Sequence, residues 1–550
     1  MEQDHASAES KYKAWQSERT TYLDEAWRSS QLTLPSVIPD AQDILQRSAT
    51  TKVVLAKPFQ SLGARGVNNL ASKLLLTLFP PTSPFLKYVV SAKLQQEAKQ
   101  TGTDIQEIKN GLAMREARIQ SEVDLRNVRP KGFQILRHLL ISGNCVVYVE
   151  PETGDLQVYP LNSFVVKRDG RGNLIELIVC DVLDRRTIED EDVLAALNDA
   201  MYVKDTSPGC PEHIIPLYTS ICRCDGGYEV YQEVGGVEVP NTETKFTEET
   251  LPWLCLRYIE IDGEDYGRGF VEEYRGDLTS LEQLSRDILF ASANAAKVTW
   301  GIEPTSPLKP KKFLEAPNGG AVQARKDDVF AIQLQKSADM QVAGVTRADL
   351  VQALSADFML NSSFQRQAER VTAEEIRKMA EELEDTLGGV FSMLSQSFQL
   401  PLARLYEASL IKRGELKKLP KGSVRIGVVT GLAAIGRGQD LMRLRNALQL
   451  TGETAAYMPT LPSYLKAGAL VSEIFTGSGV ATEGLIKTDG EVADEQAQAQ
   501  RAQSQQTVGT ELAKGAGQAV GAVGGQMEPA QLATAMANMP QLQNPQAQPQ

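Results

Sequence analysis

The sequence predicts an α+β fold, and three features carry that prediction. Four N-terminal segments space their apolar residues at three and four. A series of short β-prone runs follows, punctuated by turn residues. Further on, two long helical segments flank an insertion broken by prolines.

Residues 8–30 read as a helix anchored by Tyr12, Trp15, Tyr22 and Trp27. Residues 59–79 form a second, with Gly66, Leu70, Leu74 and Leu78 along one stripe and Pro80 and Pro81 ending it. A third runs from about 104 to 126 and a fourth over 130–141. Strands are expected at 145–149, 156–159, 164–167 and 174–183, separated by Gly154-Asp155 and Asp169-Gly170. The runs 215–224 and 228–234 flank Asp225-Gly226-Gly227, a strong hairpin signal. The run 253–261 completes a mixed α+β region with antiparallel pairing.

A long helix follows over 270–299, with Tyr274, Leu278, Leu281, Leu284 and Ile288 at helical spacing. Its end is rich in small residues, which suits packing against copies of itself or within one core. Residues 300–345 interrupt it with Pro304, Pro307, Pro310 and Pro317, and a strand is expected near 329–334. Lys309, Lys311 and Lys312 give this insertion a basic tip. A connection this long is uncommon without a role, though lysines also suit a plain solvated loop. The helix 346–360 then carries Leu350, Leu354 and Phe358 on one face.

Residues 361–370 are polar and present Asn361, Gln365, Arg366, Gln367 and Arg370. Thr372 and Glu375 form a capping box, so a helix starts there and runs to about 400, spanning roughly 43 Å. Gly388 and Gly389 sit inside it, where each costs about 1 kcal/mol, and they mark a kink or a close backbone contact. The chain continues through 402–411, a short strand at 424–429 and helices over 441–487. From Glu491 the composition turns to Gln, Ala and Gly, a low-complexity tail read as disordered or loosely helical.

The chain has 550 residues, enough for several domains, and no stretch approaches the ~18 apolar residues of a membrane span. Its polar, acidic start is not that of a signal peptide, and six cysteines make no disulfide framework. Both point to folding in a reducing cytosol. A net charge of −13 argues against a protein that grips DNA, because gripping needs clustered Lys and Arg. It is compatible with a wall that lets DNA slide past, or simply with solubility.

Catalytic and metal chemistry finds little support. The run 431–438 places glycines like a phosphate loop but lacks the Lys and the Ser or Thr that such a loop needs. Cys210, His213, Cys222 and Cys224 have the residue types of a zinc site, at no standard spacing. Asp262, Glu264 and Asp265 could hold a divalent ion or form an acidic turn. Of three histidines, His138 lies among Leu136, Leu139 and Leu140 and reads as a satisfied core residue. No nucleophile–base arrangement is apparent, so neither an enzyme nor a cofactor nor a bound metal is expected.

Five blocks carry a family resemblance: Gly63-Ala-Arg-Gly-Val-Asn-Asn-Leu-Ala-Ser-Lys73, Asp262-Gly-Glu-Asp-Tyr-Gly-Arg268, Glu369-Arg-Val-Thr-Ala-Glu-Glu-Ile-Arg377, Glu382-Leu-Glu-Asp-Thr-Leu-Gly-Gly-Val390 and Gly431-Leu-Ala-Ala-Ile-Gly-Arg-Gly-Gln-Asp-Leu441. In that order they resemble the head-to-tail connector, or portal, proteins of short-tailed bacteriophages of the podovirus and autographivirus type. The resemblance implies a portal fold. Residues 1–268 would be an α+β wing, 269–299 a first stem helix, 300–345 a clip and 346–360 a second stem helix. Residues 361–371 would be a channel loop, 372–430 a long kinked helix returning to the wing, 431–490 a helical crown and 491–550 the tail.

The same resemblance implies a closed homo-oligomeric ring, about twelve copies, at one capsid vertex. Double-stranded DNA would pass through it without sequence reading, contacted by the loop residues from Asn361 to Arg370. The three lysines would face a terminase motor and then a tail adaptor and tail proteins. Capsid and scaffolding proteins and internal core proteins are the other implied partners. The ring would assemble in the host cytoplasm and end in the virion. The alternatives are another virion structural or adaptor protein with a helical core, and an acidic cytosolic enzyme.

Overall fold

The computed structural model describes residues 7–45, 53–80, 84–92, 105–185, 190–199, 214–295, 299–332, 337–360 and 389–428, apart from scattered single positions. The chain divides into two units, Met1–Arg443 and Leu444–Gln550, and the described elements belong to the first.

Helix α1 (Ala8–Leu32) starts where Ser7 caps it, its hydroxyl accepting from the Ser10 amide. The buried Glu233 carboxylate accepts the Ala8 and Glu9 amides as well, placing negative charge at the positive helix end. Helix α2 (Leu62–Leu78) buries Leu70, Leu74 and Leu78 completely. At ~1.5–3 kcal/mol per such side chain, that stripe alone fixes the helix against its neighbours. Helices α3 (Ile105–Leu125) and α4 (Val128–Ser142) follow. Helix α4 ends at Gly143, whose φ of 72° puts it in the left-handed region. A Cβ there would also meet the Arg268 backbone at 2.3 Å, so only glycine closes this helix.

Among the described residues the strands pair antiparallel. A short strand β1 (Leu86–Val90) pairs with the far end of the described chain. Strands β2 (Asn144–Val149) and β3 (Leu156–Tyr159) join β10 (Trp253–Arg257) in the order β10-β2-β3. Strands β4 (Phe164–Arg168), β5 (Leu174–Asp184), β6 (Ile214–Cys224), β7 (Gly227–Val234) and β8 (Val237–Glu238) form the larger sheet, with β9 (Thr244–Phe246) on β7. The β6–β7 hairpin turns through Asp225-Gly226, as its sequence predicts. Helix α5 (Glu191–Asp199) covers Ile215, Leu217 and Val234. The strand expected to reach 261 stops at Arg257, leaving a single bridge from Ile259 to Arg268.

The helix expected over 270–299 is two pieces, α6 (Phe270–Glu273) and α7 (Arg275–Ala295), and Thr299 already belongs to strand β11 (Thr299–Ile302). The insertion carries a short helix α8 (Pro310–Leu314) and a strand β12 (Val329–Ile332) paired with β11. Helix α9 (Ser337–Asp357) begins earlier than position 346, where its apolar spacing becomes regular. Its first half, where described, is largely exposed, so no buried stripe marks where the helix begins.

After 389 the helix does not stop before Pro401. A π turn (Ser395–Gln399) leads straight into α10 (Leu400–Lys412). Pro401 lacks an amide and would press on the carbonyl four residues back. The wider turn relieves that clash, with the Leu400 amide reaching the Ser395 carbonyl. Strand β13 (Val424–Val428) then closes on β1. The main core joins α2, α3, α4 and β2 to the ends of α9 and α10 through Leu354, Phe358, Phe398, Leu402 and Tyr406.

Candidate functional site

Residues on both sides of the stretch 361–388 are held by α2. On the near side, Asn69 Nδ2 donates to the Phe358 and Met359 carbonyls, each at 3.1 Å, and Lys73 Nζ donates to the Met359 carbonyl at 3.0 Å. These carbonyls lie just past the last residue of α9, where no amide of that helix can reach them. The buried ammonium also sits where the helix dipole favours a cation. Gly66 lets the Phe358 ring lie on the helix backbone, since a Cβ there would be 2.5 Å from the ring. Phe358 packs edge-on to Phe270 at 5.4 Å and beside Tyr274 at 5.9 Å. Met359 adopts a φ of 53°, uncommon for a residue with a side chain, and the polar clamp holds it there. On the far side, buried Gln399 donates to the Leu78 carbonyl and accepts from Ser395, while Phe398 packs on Phe79 at 5.7 Å. The first resemblance block thus positions the near flank of this stretch, and the end of the same helix positions the far flank.

Asn361, Gln365, Arg366, Gln367, Arg370 and Gly388 lie outside the described residues, as do the expected 431–441 run and the helices beyond it. Gly389 is exposed, and a Cβ on it would meet nothing within 4 Å, so no described contact requires glycine there.

Lys309, Lys311 and Lys312 are exposed at α8, between the two strands of the insertion. Lys311 lies 3.9 Å from Glu315 with both side chains largely in solvent, a pair worth little. Below them, Trp300 packs edge-on to Phe313 at 5.6 Å and Leu308 is buried, so the tip has its own small apolar base. An exposed ammonium cluster on a held base can meet an acidic surface.

The second resemblance block is a latch rather than a metal site. Glu264 takes both Nε and a terminal nitrogen of Arg268 at 3.1 Å, and Glu272 takes the other at 3.0 Å. Asp265 accepts the Arg168 amide at 2.7 Å and Lys167 Nζ at 3.2 Å. Arg268 lies over the Tyr22 ring at 4.7 Å, tying α1 to the turn. Glu264 and Asp265 are spent on cations of the same chain, while Asp262 is exposed. Cys222 and Cys224 are half-buried on β6, where burial first and Glu176 next push the Cys222 thiol up, away from the thiolate a metal requires. Cys210 and His213 lie outside the described residues, and among the described residues no group of three His, Cys, Asp or Glu side chains could hold a metal ion. His138 is buried as expected but not satisfied, since its Nδ1 has no hydrogen-bond partner among the described residues.

Sequence reasoning missed Asn69, Lys73 and Gln399 as positioning groups. The signal was weak: polar residues at helical spacing beside an apolar stripe look like a solvated face.

The family model for the bacteriophage head to tail connecting protein matches residues 5–486. The chain belongs to that family. The portal protein of Enterobacteria phage T3 is 37% identical over 525 residues, 94% of each chain. The portal protein of Escherichia phage T7 is 36% identical over 500 residues, 89% of this chain and 90% of the other. A chain from the neck of an empty gene transfer agent particle covers 70% of this chain and 86% of its own length, at 13% identity and a TM-score of 0.35.

Proposed function

We propose that this chain is the subunit of a viral portal: a closed ring at one capsid vertex, through which the genome enters and leaves. The single observation that carries it is the full-length kinship with portal proteins, 37% identity across 94% of the chain. Such a ring is a structural component of the virion with tail and capsid partners. The α+β layer up to residue 268 is its wing, α7 and α9 are its stem, and the β11–α8–β12 insertion is its clip. The residues from Asn361 to Arg370 face the channel and touch phosphates without reading bases, since phosphate contacts position but do not specify. The finer partners are a terminase motor during packaging, then a tail adaptor at the same clip, with scaffolding and internal core proteins on the capsid side. The copy number is about twelve, set by the rotation at which head-to-tail contacts close. The chain does no chemistry itself, and the motor that drives DNA is another protein.

Native mass spectrometry of the purified chain tests the assembly, with a single closed species of about twelve copies expected. A monodisperse monomer or two-fold dimer at micromolar concentration, with no rings in electron micrographs, would overturn it.

A further inference from the structure

Helices α7 and α9 pack antiparallel in a fixed register. Tyr274 meets Phe358 near one end, and Arg347 Nε donates to Ser285 Oγ at 3.0 Å midway along. The two position sums agree, so the same register sets Phe290 level with Val342 and Gln283 level with Asp349. The outward faces of this hairpin are not those of a solvated pair. Val342 and Val345 are 67% and 58% exposed, and Leu289 and Phe290 are 56% and 50% exposed. Phe59 adds to the α7 side: it packs on Phe290 at 6.0 Å, and Glu282 holds its amide at 2.8 Å. Exposed apolar groups gathered this way mark an interaction surface.

Exposed charges flank these apolar groups, Arg286 and Asp287 on α7 and Asp339 and Asp349 on α9. On α7, Arg286 and Phe290 share a face, with the guanidinium 5.7 Å from the ring. On α9, Val342, Val345 and Asp349 share a face at helical spacing. Arg286 and Asp349 are both exposed, and neither has an ion-pair partner among the described residues.

We propose that the α7 face of one copy docks on the α9 face of the next, with Phe290 against Val342 and Val345 and with Arg286 paired to Asp349. This rests on the ring proposed above. Cyclic symmetry carries each copy to its neighbour without a shift along the axis. For hairpins running along that axis, residues at one height therefore meet residues at the same height. Phe290 then reaches the two valines. Arg286 lies three residues, about 4.5 Å, from the level of Asp349, within the span of an arginine side chain. An unpaired cation and an unpaired anion beside apolar groups of equal height make the two faces complementary, and a second copy is the partner that supplies both at once.

The test is a charge swap read by native mass spectrometry across a dilution series. Arg286→Glu and Asp349→Lys should each raise the concentration for half-assembly by about tenfold or more, through like charges at every contact. The double variant should return toward the wild-type value. Circular dichroism of each variant should be unchanged, because both side chains are solvated in the single chain. A second arm mixes chains carrying Phe290→Cys with chains carrying Val342→Cys under mild oxidation, each alone serving as control. A cross-linked heterodimer is expected from the mixture. Rings that form as in wild type with either single reversal would overturn the docking while leaving the ring intact. So would a double variant as impaired as the singles, or a mixture without the cross-link. A wild-type chain that never forms rings would overturn both readings.

Discussion

Buried in α4, the His138 imidazole has been taken out of water without a partner for Nδ1. Burial, and after it the neighbouring Arg137 guanidinium, lowers its pKa from 6.5 to about 4. An unfolded chain takes up a proton on this ring near pH 6.5, and the folded chain refuses it until about pH 4. The folded pKa is the lower one, so this contribution to stability is complete above pH 6.5 and drains as the pH falls toward 4. The full span corresponds to roughly 3 kcal/mol. His138→Phe should remove that part of the acid sensitivity. Denaturant midpoints of the two proteins at pH 7, 5.5 and 4.5 check it, with the gap between them closing or reversing as the pH falls. Parallel curves would show that the imidazole is charged, or solvated, in the folded chain.

At the scale of the element, the insertion between α7 and α9 invites the sharpest test. Replacing Lys309, Lys311 and Lys312 with Glu should leave the fold and the ring intact, because the three ammonium groups are solvated and make no buried contact. Docking of the motor and of the tail adaptor should weaken, since rim charges govern encounter and partner choice. Normal packaging and tail attachment by the triple variant would count against the clip assignment. This element also shows which parts of the fold were legible in the sequence. Amphipathic helices such as α2, and strands bounded by turn residues such as the β6–β7 pair, were readable because one face of each is buried. The beginning of α9 was not, because an exposed helix face has no period to detect. The run through Pro401 was hidden because proline normally ends a helix, and only a π turn lets this one continue. Strand β1 was missed because its partner β13 lies more than 300 residues away, a pairing that no local pattern encodes. In the acidic turn at 262–265, Asp265 takes the Lys167 ammonium and the Arg168 backbone amide from β4, partners that lie almost a hundred residues away and that no local pattern encodes.

For the whole molecule, the governing quantity is a net charge of −13 in a chain proposed to surround DNA. Affinity for duplex DNA comes mainly from counterions released when Lys and Arg neutralise phosphates, and an acidic ring releases few. A conduit gains from this, because a deep electrostatic trap would stall translocation. The isolated ring should therefore not retain linear duplex DNA at micromolar concentration and about 0.15 M salt, a regime in which dedicated non-specific binders do. Contact should instead be local, at the circle of arginines that Arg366 and Arg370 would form, one set per copy. Arg366→Ala combined with Arg370→Ala should leave assembly unchanged, because loop cations carry little packing energy. It should reduce retention or translocation of packaged DNA, where confinement rather than affinity brings phosphate to the loop. The competing reading is that both arginines pair with Glu369, Glu374 or Glu375 of their own chain and never meet DNA. In that case the double variant would package and retain the genome as wild type does. Salt-dependent gel retardation of free rings, beside retention measured in filled heads, separates the two. Strong retardation at 0.15 M salt would mean that the wall grips DNA after all, and that the net charge is a poor guide to the field inside the channel.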